Sequence, residues 1–238
     1  MARSRIPPYF EILVITKVMD GMTSGLRIFG AALAAQLAWA GPALAHPHVW
    51  VDGAVTLNVT GGKLTSITNV WTFDAPFSVF ATQGLDANGD HRLSAAELKP
   101  LSETNMEALE PYHFFTYVKD AGAQVDFAAA EHYGLKMGRK RLTLTFTLPL
   151  RQPVPFTAST EIDVLDPEYF VAFSYPGKTP VAVKGKAAGC AARYQPPHEL
   201  DDQIMAQLAA IPADEHDLPE ALQDAAQGLA HQFLVECK

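Results

Sequence analysis

Two segments of this chain alternate strictly between apolar and polar residues. From Val49 to Val59, valine and leucine occupy one face, while His48, Trp50 and Asp52 share the other. The segment from Arg141 to Leu148 alternates in the same way, with leucine and phenylalanine against arginine and threonine. Because successive side chains of a strand point to opposite faces of a sheet, both segments are predicted to be half-buried strands.

Shorter apolar runs extend this pattern to a mainly β protein. Gly61-Gly62 is predicted to turn the chain into a return strand over 64–73. Further strands are predicted at 113–119, 124–132, 157–165, 169–175 and 180–184. Many short strands separated by glycine and proline are typical of an antiparallel sandwich or a barrel-like sheet, so the expected fold class is α+β, mainly β.

Helical patterns interrupt the strands in two places. Segments 75–83 and 94–110 flank an acidic loop and predict an inserted EF-hand-like helix–loop–helix over 75–110, with Pro100 ending the second helix early. After Pro196-Pro197 the composition shifts to alanine, leucine, glutamine and acid, which predicts helices near 199–210 and 217–235. In the last helix, Leu218, Leu222, Ala225, Ala226, Leu229 and Phe233 are spaced for one face.

The start of the chain has the layout of a secretory signal. Arg27 precedes a short apolar run, and the small-x-small triplet Ala43-Leu44-Ala45 follows it. Residues 1–45 are therefore predicted to be removed. Because the signal pattern is already complete from Met22 onward, residues 1–21 are predicted to be an over-extended start. Cleavage after Ala45 leaves His46 as the first residue of a periplasmic or secreted protein. No later apolar segment is long enough to cross a bilayer, so no membrane insertion is expected after cleavage.

Charge and cysteine usage narrow the function further. After Ala45 the chain carries 14 basic and 24 acidic residues, a formal charge of −10. This balance argues against nucleic acid or anionic lipid as a partner and suits cations. The two cysteines, Cys190 and Cys237, both lie in the exported part, where an oxidising compartment predicts one disulfide that ties the final helix to the sheet.

Residues 86–97 match the twelve-residue calcium loop of an EF-hand. The predicted oxygen ligands are the side chains of Asp86, Asn88, Asp90, Ser94 and Glu97, and the backbone carbonyl of Arg92. Ser94 and Glu97 also have the spacing of a helix capping box. The sixth place is His91, where the motif requires glycine for a left-handed turn, so the expected calcium affinity is weak. The alternative is a solvated acidic turn.

Three residues at the predicted mature N-terminus form a candidate transition-metal site. A terminal histidine offers its α-amine and its imidazole to one ion, and His46, His48 and Asp52 share one face of the first strand. Pro47 has no amide hydrogen, which excludes the square-planar amino-terminal copper or nickel chelate. The alternative is a surface or hydrogen-bonded histidine pair. Among the remaining histidines, His113 and His132 could complete a site, and the other four are expected at the surface: His91, His198, His216 and His231.

Several of these segments together resemble a known family. They are the run from His46 to Asp52, the run from Trp71 to Asp74, the acidic loop, and the run from Asp166 to Phe170. From His46 to about Cys190 the chain resembles the domain-of-unknown-function family numbered 1007, whose members are described as periplasmic components of ABC-type transport, often encoded beside nickel/cobalt-type permeases. The resemblance implies a role in transition-metal handling, with His46, His48 and Asp52 matching its opening motif and Asp74 and Asp166 its acidic positions.

Taken together, these features predict a periplasmic metal-binding accessory protein of a transition-metal transport system. The expected cofactors are zinc, nickel, cobalt or copper at the N-terminal site and calcium at the loop, and an inner-membrane metal permease is the expected partner. The expected organisation is a signal (1–45), a β-rich domain (46–195) and a C-terminal helical segment (196–238). No enzymatic activity is expected. Two alternatives remain: a copper enzyme that uses His46, and a structural or adhesion β-domain stabilised by calcium.

Overall fold

The computed structural model describes residues 47–211 and 218–238, so the predicted signal, His46 and His216 lie outside the described residues. The strands are β1 (Val49–Thr60), β2 (Lys63–Phe73), β3 (Thr116–Asp120), β4 (Ala123–Val125), β5 (Glu131–Met137), β6 (Leu142–Pro155), β7 (Thr160–Val164), β8 (Val171–Ser174), β9 (Val181–Gly185), β10 (Cys190–Gln195) and β11 (His231–Cys237). The helices are α1 (Ala75–Ala81), α2 (Ala95–Leu109), α3 (Asp202–Ala209) and α4 (Glu220–Gln227), and a 3₁₀ segment spans Glu110–Phe115.

The strands form two sheets. Sheet A has the order β5-β6-β2-β1-β8, with β9 also beside β1, and sheet B has the order β10-β11-β7-β3-β4. Sheet B is antiparallel throughout. In sheet A, β1 runs antiparallel to β2 but parallel to β8 and β9. The mainly β fold class is confirmed, sheet A corrects the expectation of purely antiparallel strands, and neither sheet closes into a barrel.

The predicted alternation fixes which faces are buried. In β1 the side chains of Val49, Val51, Val55 and Leu57 are buried, whereas the alternating residues Trp50, Asp52, Ala54 and Thr56 are partly or fully exposed. The inner faces of both sheets belong to one hydrophobic cluster. The rings of Tyr175 and Phe233, with centroids 4.9 Å apart, join the end of β8 to β11 across it.

The C-terminal segment differs from the predicted long helix. Helix α4 ends at Gln227, and β11 then begins at His231 and enters sheet B between β10 and β7. Leu218 and Leu222 pack in a small separate cluster with Leu208, whereas Phe233 lies in the main core. The prediction of a helix over 217–235 is therefore wrong beyond residue 227. Gly228 is the C-cap of α4, and the alternating burial pattern of β11 begins three residues later, at His231.

The predicted disulfide is confirmed, but it joins strands. Cys190 and Cys237 face each other in the β10–β11 ladder, with their Cα atoms 4.0 Å apart. The bond therefore links the edge strand of sheet B to its neighbour and does not tie down a terminal helix. The expectation of a terminal helix at Cys237 is wrong because the residues before it alternate in burial, as a strand requires.

Helix α2 fills the predicted segment 94–110, and the expectation that Pro100 ends it early is wrong. Pro100 lies inside it, and the helix continues to Leu109. Proline removes the hydrogen bond to the carbonyl four residues earlier, which belongs to Ala96. Both residues are exposed, so water can bind that carbonyl and the helix is not interrupted. No helix in residues 47–211 and 218–238 is long and apolar enough to cross a membrane.

Candidate functional site

Three separate segments meet at the start of β1. The backbone N–H groups of His48 and Val49 both donate to the carbonyl of Phe170, at 2.9 and 3.3 Å. Trp50 and Asp74 exchange two further bonds: the Trp50 N–H donates to the Asp74 carboxylate, and the Asp74 N–H donates to the Trp50 carbonyl, each at 2.9 Å. The three stretches singled out in the sequence, ending at Asp52, Asp74 and Phe170, are thus joined by backbone bonds into one end of the molecule.

His48 has a fixed ring position in this arrangement. Its imidazole is partly buried and stacks on the ring of Phe170, with centroids 4.6 Å apart and planes inclined by 24°. Its backbone is held by the bond to the same residue. Because both the ring and the backbone are anchored, His48 is presented in one orientation at the strand end.

Asp166 supports the loop that carries Phe170. Its carboxylate is 3% exposed and accepts backbone N–H bonds from Glu168, Phe170 and Val171 at 2.9–3.1 Å. Burial raises the pKa of Asp166 to about 7, the charge of Glu168 adds to this, and the three backbone donors oppose it. The acidic residue of the Asp166–Phe170 run therefore organises the turn from inside.

Asp52, the third predicted metal ligand, lies in an ion-pair network. Its carboxylate binds Arg141 Nη1 at 2.6 Å and the Ser174 hydroxyl at 2.7 Å. Arg141 also donates to the carbonyls of Phe73 and Thr72, which fixes the guanidinium against β2. Desolvation raises the pKa of Asp52, but the bonds to Ser174 and Arg141 outweigh it and lower the pKa overall. A metal ion at Asp52 would have to share oxygens with these donors.

The other histidines fall into two groups. His113 and His132, which could have completed a metal site, are exposed, as are His91 and His198. His231 was expected at the surface but is buried: Tyr194 Oη lies 2.7 Å from its Nδ1, and the Phe173 carbonyl lies 2.8 Å from its Nε2. Burial lowers the pKa of His231, so the neutral ring is favoured. The signal for burial was its alternation with Phe233 and Val235 along β11.

The acidic loop is organised by its own carboxylates. Asp86 accepts the N–H groups of Gly89 and His91, each at 2.9 Å, and Asp90 accepts the N–H of Arg92 at 2.8 Å. His91 adopts the left-handed conformation predicted for the sixth place, with a φ of 61°. The backbone therefore makes the turn that an EF-hand loop requires, although a histidine occupies the glycine position.

Glu97 closes this loop on itself. One carboxylate oxygen accepts the Ala87 N–H at 3.0 Å, and the other accepts the Ser94 N–H and hydroxyl at 2.8 and 2.7 Å. The predicted capping box of α2 is confirmed. Hydrogen bonds from Ser94 lower the pKa of Glu97, so the carboxylate is charged. Helix α1, in contrast, ends at Ala81, and residues 82–85 separate it from the loop, whereas the entering helix of an EF-hand leads directly into the loop.

Convergent metal-binding side chains are not found within residues 47–211 and 218–238, where no three histidine, cysteine, aspartate or glutamate side chains are grouped to hold an ion. The predicted set that includes His46 lies partly outside these residues.

A cavity of about 400 Å³ opens on the outer face of sheet B. The polar side chains that line this cavity are hydrogen-bonded to one another. Lys119 donates to Asp163, and the Gln232 amide donates to both Asp163 and Glu161.

Comparison of the sequence with those of known proteins identifies its family. The chain is 24% identical over 200 residues to an uncharacterised protein of Haemophilus influenzae, which covers 82% of this chain and 92% of that protein. The sequence profile of DUF1007, described as a protein of unknown function, matches residues 31–237. These residues include the converging segments at the start of β1, the acidic loop and the disulfide. The chain therefore belongs to the DUF1007 family.

Proposed function

We propose that this protein is an extracytoplasmic accessory protein of transition-metal transport, which binds a divalent transition metal through His46 and His48. The observation that carries the proposal is the convergence of three sequence segments around His48. A ligand whose ring and backbone are both anchored loses little conformational freedom when a metal binds. A separate, weaker calcium site at residues 86–97 is part of the same proposal.

The donor set at the strand end fits a borderline metal ion. Imidazole nitrogen suits zinc, copper, nickel and cobalt, and the α-amine of a newly terminal His46 would add a second kind of nitrogen donor. Asp52 lies four residues beyond His48, but its carboxylate is paired with Arg141. In this role Asp52 orients the site or contributes one shared oxygen, and the two histidines supply most of the affinity.

The compartment and the partner follow from different observations. A structural disulfide is stable where thiols are oxidised, which supports export of this chain. The transporter role comes from the family resemblance, which associates such proteins with nickel/cobalt-type permeases. The proposed role is delivery of the metal to, or its sensing for, such a permease.

Isothermal titration of the processed protein with zinc, nickel, cobalt and copper tests the site. We expect His46→Ala with His48→Ala to weaken binding at least about tenfold, because the loss of even an outer-shell partner of a metal ligand has an effect of this size. The matched control is His132→Ala with His198→Ala, which removes two exposed histidines from other parts of the fold. Equal losses in the two double variants would contradict the assignment.

The pH dependence gives a second test. A metal must displace protons from imidazoles, whose ordinary pKa is about 6.5, and from an α-amine, whose ordinary pKa is about 7.7–8.0. Transition-metal affinity should therefore fall steeply from about pH 7.5 to 5.5, whereas calcium binding by carboxylates should change little over that window. A flat pH profile for the transition metal would show that the histidines are not the ligands. Mass spectrometry of the mature N-terminus establishes whether His46 is its first residue.

A further inference from the structure

Helix α1 has a second apolar face that the described residues do not cover. Phe77, Ser78 and Ala81 are buried against the core, while Val79 and Phe80 point outward with 58% and 45% of their surfaces exposed. Val79 and Phe80 stand three and four positions after the exposed Pro76, so they share one helical stripe with it. A helix that is apolar all round is normally covered on every side.

Trp50 lies beside the start of this helix. Its side chain is 54% exposed. Its backbone exchanges two hydrogen bonds with Asp74, the residue that caps α1 by accepting the Phe77 N–H at 2.8 Å. Trp50, Val79 and Phe80 are three of the four large exposed apolar side chains in residues 47–211 and 218–238. Their concentration at one corner exceeds the scatter of single apolar residues on ordinary surfaces.

A basic hairpin turn adjoins the same helix. Residues 138–141 connect β5 to β6, and the turn is closed by the bond from the Gly138 N–H to the Arg141 carbonyl at 2.8 Å. The Leu142 N–H donates to the Ser78 hydroxyl at 2.8 Å, which fastens the turn to α1. Lys136, Arg139 and Lys140 are exposed here. We name Trp50, α1 and residues 136–141 together the α1 corner.

The charge of the α1 corner is opposite to that of the whole chain. The chain has a formal charge of −8. At the corner, the carboxylate of Asp52 is neutralised by Arg141, and the carboxylate of Asp74 accepts two backbone N–H groups. The basic side chains of Lys136, Arg139, Lys140 and Arg141 therefore outnumber these two carboxylates. Cations beside exposed tryptophan, phenylalanine and valine are the combination found at membrane interfaces.

We propose that the α1 corner docks on the surface of an anionic phospholipid bilayer. Trp50, Val79 and Phe80 enter the interfacial zone, and Lys136, Arg139 and Lys140 bind lipid phosphates. The α1 corner combines long basic side chains with apolar ones and has no asparagine or glutamine side chains to form specific hydrogen bonds with a protein partner. This composition favours a lipid surface. The basic charge of this local surface differs from the net charge of the chain, which by itself argues against anionic lipid as a partner. Because Trp50 lies two residues from His48, docking brings the start of β1 to the membrane, and it does so whether or not His48 binds metal.

Vesicle co-sedimentation in EDTA tests the proposal without calcium bridging. The protein should bind vesicles of phosphatidylglycerol and phosphatidylcholine and should not bind phosphatidylcholine alone. Each cation near an anionic surface contributes about a factor of five, so Arg139→Gln with Lys140→Gln should weaken binding roughly 30-fold. Lys184→Gln with Lys186→Gln, which removes two exposed lysines at β9, is the matched control and should change binding less than about twofold.

The apolar contribution and the competing partner are tested separately. Val79→Ser with Phe80→Ser should weaken vesicle binding at least about tenfold. In the unmodified protein, the fluorescence of Trp50 should shift to the blue when vesicles bind. The Trp50 signal is obtained by subtracting the spectrum of the Trp50→Phe variant. All the substituted side chains are exposed, so thermal unfolding should match that of the unmodified protein. Equal loss in the Lys184 and Lys186 control, or no blue shift on vesicles, would overturn the proposal. Binding to polyglutamate that is as tight as binding to vesicles would indicate an acidic protein partner instead.

Discussion

Tyr175 is a buried tyrosine whose hydroxyl has no hydrogen-bond partner among the described residues. Burial raises its pKa well above 10, so the neutral phenol is maintained. An unpaired buried hydroxyl costs about 1–3 kcal/mol. Tyr175→Phe removes this cost while keeping the ring against Gly53, where an added Cβ would lie 2.6 Å from the tyrosine ring. We expect the variant to raise the free energy of unfolding by about 1 kcal/mol, measured by urea denaturation.

Tyr194→Phe is the matched comparison. Tyr194 Oη lies 2.7 Å from His231 Nδ1, so this hydroxyl does have a partner. Its loss should lower the free energy of unfolding by about 1 kcal/mol and leave a buried ring nitrogen unpaired. The two tyrosines therefore predict stability changes of opposite sign from the same chemical change. If both variants were destabilised equally, the Tyr175 hydroxyl would have a partner in solution.

The residue scale also shows what the sequence could not reveal about the site. Alternation correctly placed Trp50 and Asp52 on the outer face of β1, because a strand repeats every two residues. Nothing local indicated that Asp52 would bind Arg141, a residue 89 positions away, or that Asp166 would be buried. Such partners depend on strand pairing across the whole chain, which local pattern does not specify.

Among the elements, the acidic loop gives a prediction about calcium. The structure has the turn and the closing carboxylate, so we expect binding with a dissociation constant in the range of about 10⁻⁴–10⁻³ M. Glu97→Gln should weaken binding at least about tenfold, since the twelfth place supplies both oxygens of one carboxylate. Glu107→Gln, an exposed glutamate on the same helix, should bind as the unmodified protein does. Calorimetry that detects no heat at millimolar calcium would contradict the calcium site.

The disulfide predicts how sheet B responds to reduction. Cys190→Ser with Cys237→Ser should lower the free energy of unfolding by about 4 kcal/mol, from the entropy of a loop with a sequence separation of 47. Strand β10 is at the edge of the sheet, whereas β11 also pairs with β7. Hydrogen exchange should therefore quicken in β10 before it quickens in β11. Two titratable thiols in unreduced protein would contradict the pairing.

The strands and helices were predictable where the apolar residues of a segment followed a single clear periodicity. The strands over 49–59, 64–73 and 141–148 follow from alternation, and Asp74 and Ser94 cap their helices as short polar residues do. The helix predicted over 217–235 was wrong in its second half because the helical spacing of leucine and phenylalanine continues past Gly228, where the chain forms a strand. The parallel pairing of β8 and β9 with β1 has no local signal, since it depends on where the connecting segments return.

At the scale of the whole molecule, the start of β1 unites the candidate metal ligand and the α1 corner. His48 is anchored to Phe170 on one side, and Trp50 is bonded to Asp74 on the other. The loop that holds Phe170 depends on the buried carboxylate of Asp166. The protonation of this one group therefore links global stability to the support of His48.

Asp166 and His231 should shape the pH dependence of stability in opposite directions. Burial raises the pKa of Asp166 from 3.8 to about 7, so the folded protein binds a proton more tightly than the unfolded chain. Its contribution to stability is present at low pH and is lost as the pH rises from about 4 to 7. Burial lowers the pKa of His231, so its neutral folded form costs stability as the pH falls below about 6.5.

Asp166→Asn separates these two effects. Between pH 7 and 5 the Asp166 carboxyl should add about 2 kcal/mol to the free energy of unfolding, and the variant should lose this gain and become less stable toward acid. Glu168→Gln provides a milder change, because the charge of Glu168 contributes to the raised pKa of Asp166 and its removal should flatten the same profile. Urea denaturation across this range measures both. Profiles parallel to that of the unmodified protein in both variants would show that Asp166 does not titrate there, and its three backbone hydrogen bonds would then outweigh its burial.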